Sequence, residues 1–159
     1  IAKFASEGKQ AAGKDLGITT MINGNAYVAT VALGANMNQC LKAIQEAEAY
    51  PGPSLIIAYA SCITHGINMS QGIEQQKQLV DSGLWPLYRF DPRRNAKGKA
   101  ALQLDSRPAK QQVSEFVELQ NRFKQLSAKD HQSYLERIDS LQAQIEHKQS
   151  LLNQLAGWK

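Results

Sequence analysis

The residues of this sequence that could carry chemistry are a cysteine and a histidine in one short segment, Cys62 and His65. They follow the apolar run at residues 55–59, which has the length and composition of a buried strand. In open α/β sheets, reactive groups lie in loops at the carboxyl ends of the strands. We therefore expect Cys62 to lie at a functional edge of a sheet.

Four interpretations of Cys62 are open from residue types and spacing. A nucleophile activated by His65 is one, although catalytic Cys/His pairs normally come from distant parts of a chain. A zinc site needs about four ligands, and only these two lie together. A buried structural cysteine is the third interpretation. In the fourth, Cys62 supplies one thiolate to an iron–sulfur cluster whose other ligands lie outside this sequence.

The other candidate residues favour structural roles. Cys40 falls in a predicted helix, where we expect it to act as a small buried hydrophobe. His131 and His147 lie in polar helical segments and are expected to be solvated. Glu46 and Glu48 lie on a helix between two strands and are expected to face water. The glycine-containing segment 8–17 matches neither a P-loop nor a dinucleotide fingerprint.

The segment before Cys62 has the pattern of a βαβ unit. Residues 25–33 predict a strand covered on both faces, and residues 34–36 form a turn in which Asn36 caps the next helix. The helix is predicted over residues 37–50, and residues 55–59 form a second buried strand. The inner stripe of this helix is expected to contain Met37, Leu41, Ile44 and Ala47. Because such strands are parallel, both strand ends should lie at one edge of the sheet.

Shorter elements are predicted on either side of this unit. A helical turn is expected at residues 2–8, and Asp15 is expected to cap a helix from Leu16 to about Asn23. After Cys62, a helix over residues 70–82 should end at Gly83. Its inner face is expected to contain either Ile73, Lys77 and Val80, or Leu79 and Val80. Residues 84–90 predict a strand that is an edge strand or begins only after Pro86.

The carboxyl-terminal third is predicted to be helical after a small edge strand at residues 101–105. A helix over residues 108–126 carries an apolar stripe consisting of Val113, Phe116, Val117, Phe123 and Leu126. Residues 127–159 predict one long amphipathic helix, or two joined near residues 129–131. The apolar positions of this part are Leu135, Ile138, Leu141, Ile145, Leu152 and Leu155. We expect it to pack on the domain or on a partner chain.

Composition indicates one soluble domain of 159 residues with a proper core. No apolar run approaches the length of about 20 residues that spans a bilayer, so no membrane segment is expected. The net charge of +4 is attributed to a solvated basic face rather than to a nucleic-acid site, and an acidic protein partner is a third interpretation. That face is expected to include Arg89, Arg93, Arg94, Lys97 and Lys99. The opening at Ile1, in mid-pattern, suggests a piece of a longer polypeptide.

Several blocks of this sequence resemble the pyruvate:ferredoxin (flavodoxin) oxidoreductase family. They include IAKFAS at residues 1–6, KDLG at 14–17, YVA at 27–29, GAN at 34–36 and EAE at 46–48. The longest are GPSLIIAY at 52–59, followed by Cys62 and Ile63, and WPLYRFDP at 85–92. The resemblance implies that residues 1–126 are the carboxyl-terminal portion of a thiamine-diphosphate-binding domain. Its implied fold is α/β, a partial doubly wound parallel sheet, followed by a helical extension at 127–159.

The resemblance also implies a function. The family oxidises pyruvate with coenzyme A to acetyl-CoA and carbon dioxide, and passes electrons through 4Fe-4S clusters to ferredoxin or flavodoxin. It implies that Cys62 is the remote fourth ligand of the cluster nearest thiamine diphosphate, and that His65 supports the loop. A cytoplasmic homodimer that binds neither nucleic acid nor membrane is expected.

No catalytic or thiamine-binding residue is assigned in this chain. The motifs for Mg²⁺ and diphosphate, and the other three cluster cysteines, are expected upstream, so the segment alone should be inactive. Two alternatives remain at this point: a related 2-oxoacid oxidoreductase with another substrate or acceptor, and a non-catalytic interaction module that docks through residues 127–159.

Overall fold

The computed structural model describes residues 13–157, so the turn predicted at residues 2–8 lies outside the described residues. The elements follow in the order α1 (Leu16–Ile22), β1 (Tyr27–Val31), α2 (Met37–Glu48), β2 (Ser54–Ala58), α3 (Gly72–Asp81), β3 (Tyr88–Phe90), β4 (Leu102–Leu104), α4 (Val113–Val117), α5 (Asn121–Lys129) and α6 (His131–Gly157). Short 3₁₀ helices at Ile63–His65, Met69–Gln71 and Pro92–Lys97 lie in the connections.

The predicted helix caps are confirmed. Asp15 Oδ1 accepts a hydrogen bond of 2.9 Å from the Ile18 amide, and Asn36 Oδ1 accepts one of 3.0 Å from the Gln39 amide. These side chains satisfy amides of the first helical turn that have no partner within the helix. Gly83, which follows α3, has a φ of +75°, a conformation that favours glycine at a helix end.

The strands form one sheet in the order β2-β1-β3-β4. β1 and β2 are parallel, with Tyr27 opposite Ser54 and Val31 opposite Ala58, whereas β3 is antiparallel to both β1 and β4. The predicted parallel sheet is therefore right for the βαβ unit and wrong for β3 and β4. Only a short 3₁₀ segment separates β3 from β4, and parallel neighbours would need a longer crossover. β3 begins after Pro86, which confirms one of the two alternatives predicted for this strand. β4 is the expected edge strand.

Both faces of β1 are covered, as predicted, and all five of its residues are buried. Val28 packs in a cluster with residues of α1, β3, β4 and α6. Tyr27, Ala29 and Val31 pack on the other face against Cys40 and Ala43 of α2. Cys40 is 8% exposed, so its prediction as a buried hydrophobe is confirmed.

The predicted inner stripe of α2 is wrong. Met37, Leu41 and Ile44 are 60%, 52% and 47% exposed, and only Ala47 of that stripe packs toward the sheet. The buried residues of α2 are Gln39, Cys40 and Ala43. The side chains that α2 presents to β1 are small or polar. Spacing alone identified an apolar stripe but not the direction in which it faces.

The predictions for β2 and α3 also need correction. β2 is only half-buried, because it ends the described sheet and pairs with β1 alone. In α3 the expected residue Leu79 is 2% exposed, but Ile73 is 66% exposed. The other buried residue of α3 is Gln75, a polar residue that an apolar pattern does not identify.

The carboxyl-terminal helices pack on the domain, one of the two outcomes expected for them. The junction predicted near residues 129–131 is confirmed, since Asp130 Oδ1 accepts a hydrogen bond of 3.0 Å from Ser133 N at the start of α6. The residues of α6 that are buried are Tyr134, Ile138, Ile145 and Leu152. His131 and His147 are exposed, as expected. The boundary between residues 126 and 127 stays a prediction, and no helix within residues 13–157 is long and apolar enough to cross a membrane.

One long helix over residues 108–126 was also expected, and the structure has two short ones instead. Residues 108–112 are not helical, and α4 ends at Val117. Gln120 then has extended backbone, with φ −107° and ψ 117°, before α5 begins at Asn121. The expected stripe is largely right, since Val113, Phe116 and Val117 are buried and Phe123 and Leu126 pack against them.

Two charged residues predicted to face water do not. Arg89 is 5% exposed, and its Nη1 lies 2.6 Å from Glu46 Oε1. Glu46 Oε2 also accepts a hydrogen bond of 3.0 Å from the Tyr27 hydroxyl. Arg89 lies opposite Ala29 in the β1–β3 pair, which places it beneath α2. The prediction of a solvated basic face is therefore wrong for Arg89, because strand pairing cannot be read from charge clustering.

Candidate functional site

The edge predicted to carry chemistry is formed by the carboxyl ends of β1 and β2. Because the two strands are parallel, the turn at residues 34–36 and the segment containing Cys62 leave the sheet at the same edge. The alignment continues one residue past β2, where the Tyr59 amide donates a 3.0 Å hydrogen bond to the Val31 carbonyl. The βαβ prediction therefore placed Cys62 correctly relative to the sheet.

Cys62 lies in extended backbone directly before the 3₁₀ helix Ile63–His65, and the residue is exposed. Its carbonyl accepts a 3.0 Å hydrogen bond from the His65 amide, and Gly66 closes the turn with a φ of +67°. The interpretation of Cys62 as a buried structural cysteine is wrong. Cys40, in contrast, is buried and lies on the inner face of α2.

An aromatic pair fixes the base of the Cys62 loop. The Val31 carbonyl accepts a second hydrogen bond, of 3.2 Å, from the indole Nε1 of Trp85. The rings of Tyr59 and Trp85 meet edge to face, with centroids 5.6 Å apart. The end of β2 is therefore held to β1 by a backbone hydrogen bond and by a side chain from the segment before β3.

Two hydroxyl groups accompany Cys62 at this position. Burial and then the negative charge of the Cys62 thiolate raise the pKa of Tyr59, and an interaction with the Ser61 hydroxyl opposes that rise. Ser61 Oγ is buried, yet it has no hydrogen-bond partner among the described residues. A buried hydroxyl without a partner is unusual, because most such groups are satisfied in folded proteins.

His65 ties the loop to the carboxyl-terminal helices. Its Nδ1 lies 2.8 Å from Oε1 of Gln120, a residue only 5% exposed, and its ring meets that of Phe123 at a centroid distance of 6.4 Å. A cavity of about 190 Å³ adjoins this contact and is lined by His65, Gly66, Asn121, Arg122 and Gln125. These contacts support the expected loop-supporting role of His65.

The sequence did not single out Tyr59, Ser61, Trp85 or Gln120 as site residues. Tyr59 and Ser61 are close to Cys62 in sequence, but of the three residue types only cysteine indicated a site by itself. Trp85 and Gln120 are 23 and 58 positions beyond Cys62, and only the packing of β3 and α5 brings them to the loop. Within residues 13–157 no three His, Cys, Asp or Glu residues lie together as a metal site would require.

Curated proteins match this chain over most of its length. The probable pyruvate-flavodoxin oxidoreductase of Escherichia coli is 45% identical over 157 residues, which is 99% of this chain and 13% of that protein. The pyruvate:ferredoxin oxidoreductase of Moorella thermoacetica is 41% identical over 155 residues, 95% of this chain and 13% of that protein. The mitochondrial pyruvate dehydrogenase (NADP⁺) of Euglena gracilis is 48% identical over 125 residues, 77% of this chain and 7% of that protein. No protein-family model matches.

The resemblance stated from the sequence is confirmed by these comparisons. The chain spans about 13% of the length of the curated pyruvate-flavodoxin oxidoreductases that it matches. At 42–49% identity over 98–99% of its residues, the chain belongs to the pyruvate-flavodoxin oxidoreductase family, whose members are enzymes, and corresponds to one segment of such an enzyme.

Proposed function

We propose that this chain contributes one thiolate ligand, Cys62, to a 4Fe-4S cluster of a pyruvate oxidoreductase. The supporting observation is that Cys62 is exposed at the carboxyl edge of the parallel strand pair β1–β2, in a segment homologous to that enzyme family. A 4Fe-4S cluster takes four thiolates, so the remaining three come from other parts of the longer polypeptide.

The residues around Cys62 fit such a cluster. The Ser61 hydroxyl is buried and has no hydrogen-bond partner in the described part of the chain, so it can donate to a sulfur acceptor. Tyr59 and Trp85 form an aromatic wall beneath the loop, and limited solvent access is one of the factors that set a cluster's potential. The Val31 carbonyl fixes both aromatic residues, and the His65–Gln120 contact fixes the far side of the turn.

The whole enzyme is proposed to convert pyruvate and coenzyme A to acetyl-CoA and carbon dioxide, with the released electron pair passing to an external acceptor. The cluster, when bound, carries those electrons one at a time. The role of this chain is to hold one corner of that cluster in a fixed place at the sheet edge. Thiamine diphosphate and Mg²⁺ are proposed for the whole enzyme, in a thiamine-diphosphate-binding fold, and no described residue is assigned to either.

The electron acceptor is proposed to be ferredoxin or flavodoxin. Relatives of this same segment have flavodoxin, ferredoxin and NADP⁺ in their names, at 41–48% identity. The identity over this segment is similar for all three relatives, so it does not distinguish among these acceptors. A cytoplasmic homodimer remains the proposed form of the complete enzyme.

The test compares the two cysteines of this segment in the full-length enzyme. Cys62→Ala should lower the iron and sulfide content by about one cluster and should abolish reduction of ferredoxin or flavodoxin. Cys40→Ala is the matched control, since Cys40 is buried in α2, and it should retain full iron content. Full iron content and normal electron transfer in Cys62→Ala would contradict the proposal. Rates with a panel of 2-oxoacids would show whether pyruvate or a related acid is preferred.

The interaction-module alternative is not favoured, because most of the apolar face that it would use for docking is buried within the chain. It required the helices of residues 127–159 to present an apolar face to a partner. In α6, Tyr134, Ile138, Ile145 and Leu152 are instead buried within the chain. An apolar stripe that is already packed internally is not available for docking.

A further inference from the structure

The Ser61 hydroxyl is a buried polar group that the fold does not satisfy. Its Oγ is one of four buried side-chain atoms in residues 13–157 without a hydrogen-bond partner; the others belong to Gln39, Gln78 and Tyr88. Leaving such a group unsatisfied destabilises a folded protein. Of the four residues, Ser61 is the one adjacent to Cys62 in the chain.

Neighbouring residues hold the backbone around Ser61 in place. Tyr59, two residues earlier, is fixed by its backbone bond to Val31 and by ring contact with Trp85. The Tyr59 phenol interacts with both the Ser61 hydroxyl and the charge of Cys62, so these three groups share one small region. After Cys62, the turn is fixed by the His65 amide and by Gly66.

We propose that the Ser61 hydroxyl donates a hydrogen bond to a sulfur of the iron–sulfur cluster that Cys62 ligates. This inference rests on the proposed function, and it assigns a role to a residue that binds no metal. Hydrogen bonds to cluster sulfurs are among the factors that set the reduction potential. Because reduction adds negative charge to the cluster, a donor at a sulfur stabilises the reduced form more than the oxidised form. Ser61 therefore raises the potential of this cluster and favours its acceptance of an electron.

The experiment is a redox titration of the full-length enzyme followed by electron paramagnetic resonance. Ser61→Ala should keep its full iron content and shift the potential of one cluster to a more negative value. Ser61→Thr retains a hydroxyl at the same position and should restore a potential close to that of the unmodified enzyme. Ser70→Ala is the matched control, because Ser70 lies in the same connection and its hydroxyl already donates a 2.8 Å hydrogen bond to Asn68. It should leave every potential unchanged.

The outcomes separate this inference from the proposed function. If Ser61→Ala holds all its iron and no potential shifts, the hydrogen bond is refuted while Cys62 can still be a ligand. If Cys62→Ala also holds all its iron, the proposed function itself fails. Ser61→Gly provides a second variant without the hydroxyl. Loss of one cluster in both Ser61→Ala and Ser61→Gly, with retention in Ser61→Thr, would support the hydrogen bond as a requirement for holding the cluster.

Discussion

Arg89 and Asp105 form a bidentate ion pair beneath α2, with Arg89 Nε 2.8 Å from Asp105 Oδ2 and Arg89 Nη2 2.9 Å from Asp105 Oδ1. Gln39 Nε2 donates a 3.1 Å hydrogen bond to Asp105 Oδ2, and Glu46 Oε1 accepts a hydrogen bond from Arg89 Nη1. The hydrogen bond to Asp105 is the main reason that the pKa of Arg89 is raised. This network joins α2 to β3 and to the residue after β4, and thereby fixes the helix of the βαβ unit.

Replacing Arg89 with methionine should strongly destabilise the chain. The change removes the charge that holds Asp105 and Glu46 together and leaves two carboxylates without their cation. Breaking a buried pair in this way costs about 3–5 kcal/mol, and urea denaturation of the chain would measure it. Lys110→Met is the matched control, because the Lys110–Asp81 pair is 2.9 Å long but exposed, and exposed pairs contribute about 1 kcal/mol or less. Equal losses in the two variants would contradict this account.

The Arg89 network also shows what the sequence could not predict. Local signals identified the caps at Asp15 and Asn36 correctly, since each depends on a side chain and an amide three residues away. The βαβ unit followed from one continuous strand pattern and one helix. The partners of Arg89 are 16 and 43 positions away in sequence, so only the strand pairing reveals them.

The candidate site was predictable only where its residues carry a local sequence signal. Cys62 was identified because a thiol after an apolar strand is chemically distinctive, and the parallel pairing of β1 with β2 placed it at the expected edge. Trp85 and Gln120 reach the loop through tertiary contacts, and their residue types carry no signal of that role. The exposed apolar face of α2 was mispredicted because periodicity cannot tell the inner side of a helix from the outer side.

Asp15→Asn should destabilise the chain in a pH-dependent way. Burial would raise the pKa of Asp15, but hydrogen bonds from Lys148 and the Ile18 amide, with the charge of Lys148, lower it overall. Asparagine can still cap α1, so the substitution removes mainly the 2.6 Å ion pair with Lys148. The expected loss at pH 7 is about 1 kcal/mol or less, since both groups are partly exposed.

The sign of the pH dependence follows from the lowered pKa of Asp15. The stabilisation is fully present above the ordinary aspartate value of about 3.9 and is lost as the pH falls through the lower pKa of the folded state. Urea midpoints of the parent chain and Asp15→Asn should therefore differ at pH 7 and converge in acid, once the pH is below the lowered pKa of Asp15. A difference that persists unchanged in acid would show that the ion pair is not the cause. Lys148→Gln should reproduce the effect at pH 7.

Gly17→Ala should destabilise the chain because of Tyr88. A Cβ atom at Gly17 would overlap the Tyr88 hydroxyl, and Tyr88 is fully buried and cannot move away. Overpacking of this kind costs about 1–3 kcal/mol. The Tyr88 hydroxyl has no hydrogen-bond partner within residues 13–157, so Tyr88→Phe alone should be neutral or stabilising.

A double-mutant cycle measured by urea denaturation tests this contact. Gly17→Ala combined with Tyr88→Phe should recover most of the lost free energy of unfolding, because the overlapping oxygen is gone. Gly72→Ala is the control: Gly72 is the first residue of α3, and a Cβ there would have no heavy atom of residues 13–157 within 4 Å. It should be neutral or stabilising. Additive effects of the Gly17 and Tyr88 substitutions would refute the steric explanation.

Gly66→Ala should impair cluster binding in the full-length enzyme, whereas Gly98→Ala should not. The two glycines have nearly the same φ, +67° and +64°, so an alanine costs about 1–2 kcal/mol of backbone strain at either position. At Gly66 the new Cβ would lie 2.9 Å from Asn121 Cβ, whereas at Gly98 it would have no atom of the described residues within 4 Å.

The comparison therefore isolates the Cys62 turn from general backbone strain. Relieving the Gly66 contact must move either α5 or the 3₁₀ turn that begins at Cys62, and either movement shifts the thiol relative to the other ligands. Iron content and visible absorbance should fall by about one cluster in Gly66→Ala and remain complete in Gly98→Ala. Equal iron in the two variants, with equal losses of thermal stability, would mean that the position of this turn does not matter for holding the cluster.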